Sequence, residues 1–222
     1  MCGAYAAISN VFTGNLTDLL GVSSIETRNI RVPASNIQII TQTNTQQNTE
    51  RQLVDAKWWL MLNKDGSANY KYSTFNSRSD KLFSSRLTKG LFKQSRCIIP
   101  ASGFIEGQNK KYHYVTTEES AIALGGIYKQ YKIDGEIITT TSIITCPGGN
   151  PKFENIHKKS LPLMLDYHDT NLMDMWLEPS MTDSEAFRDL LTHKINQNLI
   201  ATPIMGARNL EPQAEPLSIE TD

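Results

Sequence analysis

The hydrophobic pattern of this chain is rich in strand-like segments, with a few helical ones between them, and it never settles into regular strand–helix alternation. "NIRVPASNIQIITQT" carries β-branched residues on both sides of Pro33 and predicts two short strands with a turn. "DAKWWLML" (55–62) and "YKYSTF" (70–75) predict two more, joined through the turn signal Lys64-Asp65-Gly66. The polar, uncharged stretch 41–47, "TQTNTQQ", reads as a loop. Over 79–94 the period changes. Leu82, Phe83, Leu87, Leu91 and Phe92 approach helical spacing with basic residues between them, which predicts an amphipathic helix with a cationic outer side. Strands return in "RCIIP" (96–100), "GFIEG" (103–107), "KYHYVT" (111–116), "AIALGGIYKQY" (121–131) and "EIITTTSIIT" (136–145). Helices are expected near 169–177 and 183–194, and "LIATPIM" (199–205) predicts a last strand. This order implies an α+β fold: a largely antiparallel, curved, barrel-like sheet with flanking helices. No domain boundary or internal repeat interrupts it. A single domain over 1–206 is expected, followed by an acidic tail, 207–222, expected to be disordered.

Composition narrows the class. The chain has 222 residues, 39% hydrophobic and 20% charged, as in an ordinary globular protein. No apolar run reaches membrane-spanning length, and the first residues lack the basic and apolar regions of a signal peptide. Its three cysteines, Cys2, Cys97 and Cys146, are odd in number and far apart, so a reducing, cytoplasmic setting is the expectation, nucleoid-associated if the source is bacterial. The net charge of −1 advertises no polyanion partner, although Arg78, Lys81, Arg86, Lys89, Lys93 and Arg96 face only Asp80 between residues 76 and 97. The cysteines and the four histidines show no metal-ligand spacing, so neither a metal nor another cofactor is expected. No phosphate loop, dinucleotide fingerprint or nucleophile elbow occurs.

Four polar residues remain in special surroundings. Glu106 follows Phe104 and Ile105, where desolvation would raise a carboxyl pKa toward a general acid's range; it reads equally as an outward-facing strand residue. His157, between Ile156 and a basic pair, suits a proton shuttle or a surface cap. Asn76 could orient a reactive group or belong to a turn, and Arg78 could hold a phosphate or a neighbouring acid. Cys2 differs in kind. Removal of Met1 would expose a 1,2-aminothiol, with an amine titrating near ~8 and a thiol near ~8.5. Such a residue can condense with an aldehyde and close to a thiazolidine, or attack an acyl carbon as an N-terminal nucleophile. It could also be a small packed cysteine at a strand start.

Taken together, "MCG", Trp58-Trp59-Leu60, "NSRS" (76–79), "RCIIPASGFIEG" (96–107), "ALGGIY" (123–128) and "IITCPGGNPKFENIHKKSLPLML" (143–165) resemble, in order and spacing, the SRAP proteins, SOS response-associated peptidases also called abasic-site processing proteins. The resemblance runs to about residue 206. It implies that Cys2 is the catalytic cysteine, that Asn76 positions it, and that Glu106 and His157 are the acid and the proton-handling histidine. It also implies that Arg78 contacts phosphate. The expected activity is covalent capture of a ring-opened abasic site in single-stranded DNA as a thiazolidine, with a peptidase role also inferred for the family. A peptidase that uses Cys2, or a non-catalytic single-stranded DNA-binding module, are the alternatives. Trp58 or Trp59 could stack on a base, with at least one expected in the core because strand neighbours face opposite sides. Three places depart from the family pattern: Ala4 replaces an arginine, "GFYEW" becomes "GFIEG", and "H-x-R-M-P" becomes "HKKSLP", where Lys158 or Lys159 could supply the missing charge. A monomer is expected.

Overall fold

The computed structural model describes residues 2–45 and 48–222. In chain order its elements are β1 (Ala4–Ala7), α1 (Val11–Leu19), β2 (Asn29–Arg31), β3 (Asn36–Asn44), β4 (Thr49–Lys57), β5 (Asn76–Arg78), α2 (Lys89–Gln94), β6 (Arg96–Ala101), β7 (Gly103–Gln108), β8 (Lys111–Thr117), β9 (Ile122–Ile133) and β10 (Glu136–Pro147). There follow β11 (Ser160–Pro162), β12 (Met164–Leu165), α3 (Thr170–Leu177), β13 (Leu199–Gly206), β14 (Asn209–Pro212) and β15 (Leu217–Ile219). Short 3-10 turns cover Ser79–Lys81, Pro151–Phe153 and Ser184–Leu190.

Two sheets result. In one, β10, β4, β3, β6 and β9 pair in sequence and β9 returns to β10, so the strands close into a barrel, with β5, β11 and β12 attached at its rim. The other is a curled half-barrel in the order β14-β13-β8-β7-β1-β2, with β15 also on β13. Pairing is antiparallel except where β10 meets β4 and β5. This is the expected α+β, largely antiparallel, barrel-like class.

The period-2 alternation explains how the layers join. On β6, Cys97, Ile99 and Ala101 pack with Tyr5, Phe104 and Val115 of the half-barrel, while Ile98 packs outward with Leu16 of α1, Phe92 of α2 and Trp176 of α3. Both faces are covered, which is why this strand reads as an unbroken apolar run. Gly126 on β9 keeps the wall tight, because a Cβ there would collide with the Ile99 side chain. Arg96 is buried, and its guanidinium donates to the carbonyls of Phe92, Lys93, Trp176, Glu178 and Met181, tying α2 to α3. It is a structural residue and not part of a cationic surface.

Several local expectations change. The strand predicted for 55–62 ends at Lys57, because the Trp58 N–H donates to Ser35 O and the Trp59 N–H to Lys57 O, which turns the chain out of the sheet. Residues 70–75 form turns held by Asn69 and Thr74. The long helix over 79–94 shrinks to α2; Thr88 Oγ1 donates to Lys81 O, and Ser85 Oγ accepts from Leu87 N, so local side-chain bonds compete with a continuous helical ladder. Residues 41–44 of the predicted loop close β3, while residues 46 and 47 lie outside the described residues. The acidic segment 207–222 is not free either. Ile219 is buried, β15 pairs with β13, and the Asp222 carboxylate accepts from Asn150 Nδ2 and Ile195 N, both at 2.8 Å. Its scattered acids hid two short apolar-bearing strands.

Candidate active site

The register of the half-barrel brings the start of the chain to the end of β7. Ala4 opposes Ile105 and Tyr5 opposes Phe104, so continuing this register carries Cys2 toward Glu106 and Gly107. Cys2 is fully buried, and its Sγ–H lies 3.7 Å from Ala4 O. Across from it, β5 is held on β10 by the pairing of Asn76 with Ile143 and by the 2.8 Å contact between the Ser77 and Ser142 hydroxyls. Asn76 Nδ2 donates to Cys2 O at 2.9 Å, which fixes the backbone of the cysteine. Asn76 Oδ1 is buried and has no hydrogen-bond partner among the described residues.

Glu106 points to the inner face of β7 and is only 4% exposed. Desolvation pushes its pKa from 4.5 up to about 8, against the opposing pull of the positive chain terminus and the Gly107 N–H. The carboxyl is therefore mostly protonated at neutral pH. His157 arrives from the turn after Pro151–Phe153, where its own N–H donates to Phe153 O. Its Nδ1 lies 3.1 Å from Gly107 O and 3.6 Å from Glu106 Oε2. A carbonyl only accepts, so Nδ1 carries the proton and Nε2 is left as an acceptor. Burial also lowers the pKa of this histidine, which favours the neutral ring.

Thiol acidity does not single out Cys2. Burial pushes its thiol far up, with the Glu106 charge adding to the effect, and it likewise raises Cys97 to about 12 and Cys146 to about 11. What sets Cys2 apart is its surroundings: Asn76 holds its carbonyl, and Glu106, which His157 approaches, acts electrostatically on its thiol.

Arg78, two residues beyond Asn76, is exposed and clasps Asp80 through Nε and Nη2 at 3.0 and 2.9 Å. Lys158 and Lys159 are exposed beside His157, with Lys158 Nζ 3.7 Å from Glu154. The stacking role expected of Trp58 or Trp59 is corrected. Both rings are buried, at 0% and 6% exposure, and their indole N–H groups donate to Phe75 O and Asn69 O. Alternation does not apply to them because the chain has already left the strand.

Two neighbours escaped the sequence reading. His113 sits directly opposite Glu106 on β8, with a buried Nδ1 lacking a hydrogen-bond partner among the described residues. The two-residue turn at Asn109-Lys110, both with positive φ, sets that register, so the hairpin signal was available. Tyr5 is buried, its hydroxyl has no hydrogen-bond partner among the described residues, and its ring packs edge-on against Trp58. Among the described residues no cluster could hold a metal ion, and no helix is long and apolar enough to cross a membrane.

The sequence model of the family described as SOS response associated peptidase (SRAP) matches residues 1–209. The chain belongs to the SRAP family. No curated protein matches it. Among solved structures, a protein from Bordetella bronchiseptica is similar at 19% identity and a TM-score of 0.72, covering 91% of this chain and 99% of that one. A protein from Bacteroides thetaiotaomicron is similar at 21% identity and TM-score 0.70, covering 91% and 92%. A phage-related protein from Bordetella bronchiseptica follows at 14% and 0.63, covering 95% and 100%. These likenesses establish a shared fold. Within the SRAP pattern, Ala4 and the Ile105 of "GFIEG" are direct cross-strand partners, packed with Ile204 on the face of β7 away from Glu106.

Proposed function

We propose that this SRAP chain captures the aldehyde of an abasic site in single-stranded DNA through Cys2, once Met1 has been removed. The observation that carries this reading is the grouping at the chain start: Asn76 holds the Cys2 carbonyl, and Glu106 and His157 meet at Gly107 beside it.

An abasic sugar is mostly a closed hemiacetal. Glu106, protonated below about pH 8, donates its proton to the ring oxygen as the carbon–oxygen bond opens. Neutral His157 accepts the proton of the anomeric hydroxyl through Nε2, which leaves the aldehyde. The Cys2 α-amine attacks that carbon, one water leaves, and an imine forms. The thiol sulfur then adds to the imine carbon and its proton ends on the nitrogen, closing a thiazolidine. Asn76 Oδ1, left without a donor, is placed to receive an N–H of the exposed amine. Arg78, Lys158 and Lys159, all exposed, supply phosphate contacts.

The test is incubation of Met1-processed protein with abasic single-stranded DNA. A denaturation-resistant adduct is expected with wild type and none with Cys2→Ala; an equal yield from Cys2→Ala overturns the reading. The family's description as a peptidase favours a second reading, attack of Cys2 on an acyl carbon. That reading requires turnover of peptide bonds in trans and a Cys2-linked acyl intermediate.

A further inference from the structure

With both tryptophans buried, bases flanking an abasic site need another aromatic surface. Of the described Phe, Tyr and Trp side chains only Tyr70 and Tyr72 are exposed, at 72% and 49%. They share one short turn. Asn69 builds it: its Oδ1 accepts from the Lys71 N–H at 3.1 Å, and its carbonyl accepts from both the Tyr72 N–H and the Trp59 indole. The turn is thereby anchored to the core while its side chains point to solvent.

A continuous run of rings connects this turn to the site. Tyr70 packs on Trp59 at 5.0 Å between centroids, Trp59 on Phe75 at 5.5 Å, Phe75 on Trp58 at 6.2 Å, and Trp58 on Tyr5 at 5.5 Å. Phe75 immediately precedes Asn76, whose amide holds Cys2. Tyr72 and Asn76 are four positions apart, so their Cα atoms lie within roughly 14 Å even if the chain is fully extended. Charge points the same way. Lys64 and Lys71 are exposed on this loop, the Lys71 ammonium lies 5.7 Å from the Tyr72 ring centre, and the loop's acid, Asp65, is engaged by Ser67.

We infer that Tyr70, Lys71 and Tyr72 form a stacking platform for the unpaired bases beside the captured lesion, with Lys71 on the adjoining phosphate. Duplex DNA keeps its base faces stacked on one another, so the platform selects single strands. This inference rests on single-stranded DNA being the partner, and its test does not depend on covalent capture.

The probe is an oligonucleotide carrying a tetrahydrofuran site, which has no aldehyde, flanked either by thymines or by further tetrahydrofuran units that lack bases. Wild type is expected to bind the thymine-flanked probe more tightly. Tyr70→Ala and Tyr72→Ala are each expected to weaken that binding about 5- to 150-fold, the worth of one stacked base. They should leave binding to the base-free probe unchanged, and Tyr70→Phe and Tyr72→Phe should restore it. Equal binding of both probes by wild type, or an undiminished preference in the alanine variants, overturns the platform. A wild type that shows the preference but yields no adduct with true abasic DNA overturns the capture chemistry and leaves the platform standing.

Discussion

The two faces of β7 differ in how far they keep the SRAP pattern. On the inner face, Phe104 and Glu106 keep the SRAP pattern, Phe104 packs in the core between the two sheets, and Glu106 meets His157. On the outer face, Ile105 and Gly107 depart from it, and so does Ala4, the cross-strand partner of Ile105. Ala4, Ile105 and Ile204 form a small apolar cluster with Ile30, Val32, Tyr112 and Tyr114 around them. Residues one position apart along a strand answer to different environments. The face that carries Glu106 is tied to His157, whereas the side chains of the outer face pack in their own apolar cluster. A departure beside Glu106 therefore need not disturb it.

Substitution on the inner face should have the largest effect. Glu106→Gln is expected to slow adduct formation about 10²- to 10⁴-fold, the usual worth of a general acid. The advantage of wild type over this variant should shrink as pH rises through about 8, where Glu106 loses its proton. Stability carries the matching sign. The folded state holds this proton more tightly than the unfolded chain, so wild-type stability falls as pH rises from 4.5 to about 8, and that decline should be absent from Glu106→Gln. Thermal melts at pH 5 and pH 8 check this, each kcal/mol being worth about 2–4 °C at this chain length.

Next comes Gly107→Trp, which restores the family's aromatic. A Cβ at Gly107 would collide with the Lys111 carbonyl and the Tyr112 ring across the hairpin. A cost of about 1–3 kcal/mol is expected. Adduct formation should also slow, because the carbonyl that orients His157 belongs to this residue. An unchanged melting temperature would show that the outer face is less closely fitted than its packing indicates.

The smallest effect sharpens the comparison most. Ala4→Arg and Ile105→Tyr should each destabilise the outer cluster, while the double variant recovers about 0.5–1 kcal/mol through a cation–π pair across β1 and β7. Adduct formation on saturating DNA should stay constant across this cycle. Additive effects would mean that the two departures are unrelated.

Much of this was legible in the sequence, for identifiable reasons. The strands β6, β9 and β10 announce themselves because both faces of the barrel wall are covered, so apolar runs such as "RCIIP" persist without interruption. β1 and α1 did not stand out, being short and mixed in character. The turn at Trp58 was hidden because its cause is a hydrogen bond to Ser35, distant in sequence. The last strands were masked by acids that face water while Ile219 faces the core. At the site, family order picked out Cys2, Asn76, Glu106 and His157. The group that holds the His157 ring, the Gly107 carbonyl, carries no side-chain signal at all.

The most direct measurement is the intact mass of the covalent complex formed by two preparations, one with Met1 removed and one with Met1 retained. If the α-amine and thiol of Cys2 act together, only the processed protein should gain the mass of the abasic oligonucleotide less one water. An adduct of equal yield on the protein that retains Met1 would contradict the role of Cys2 as an aminothiol.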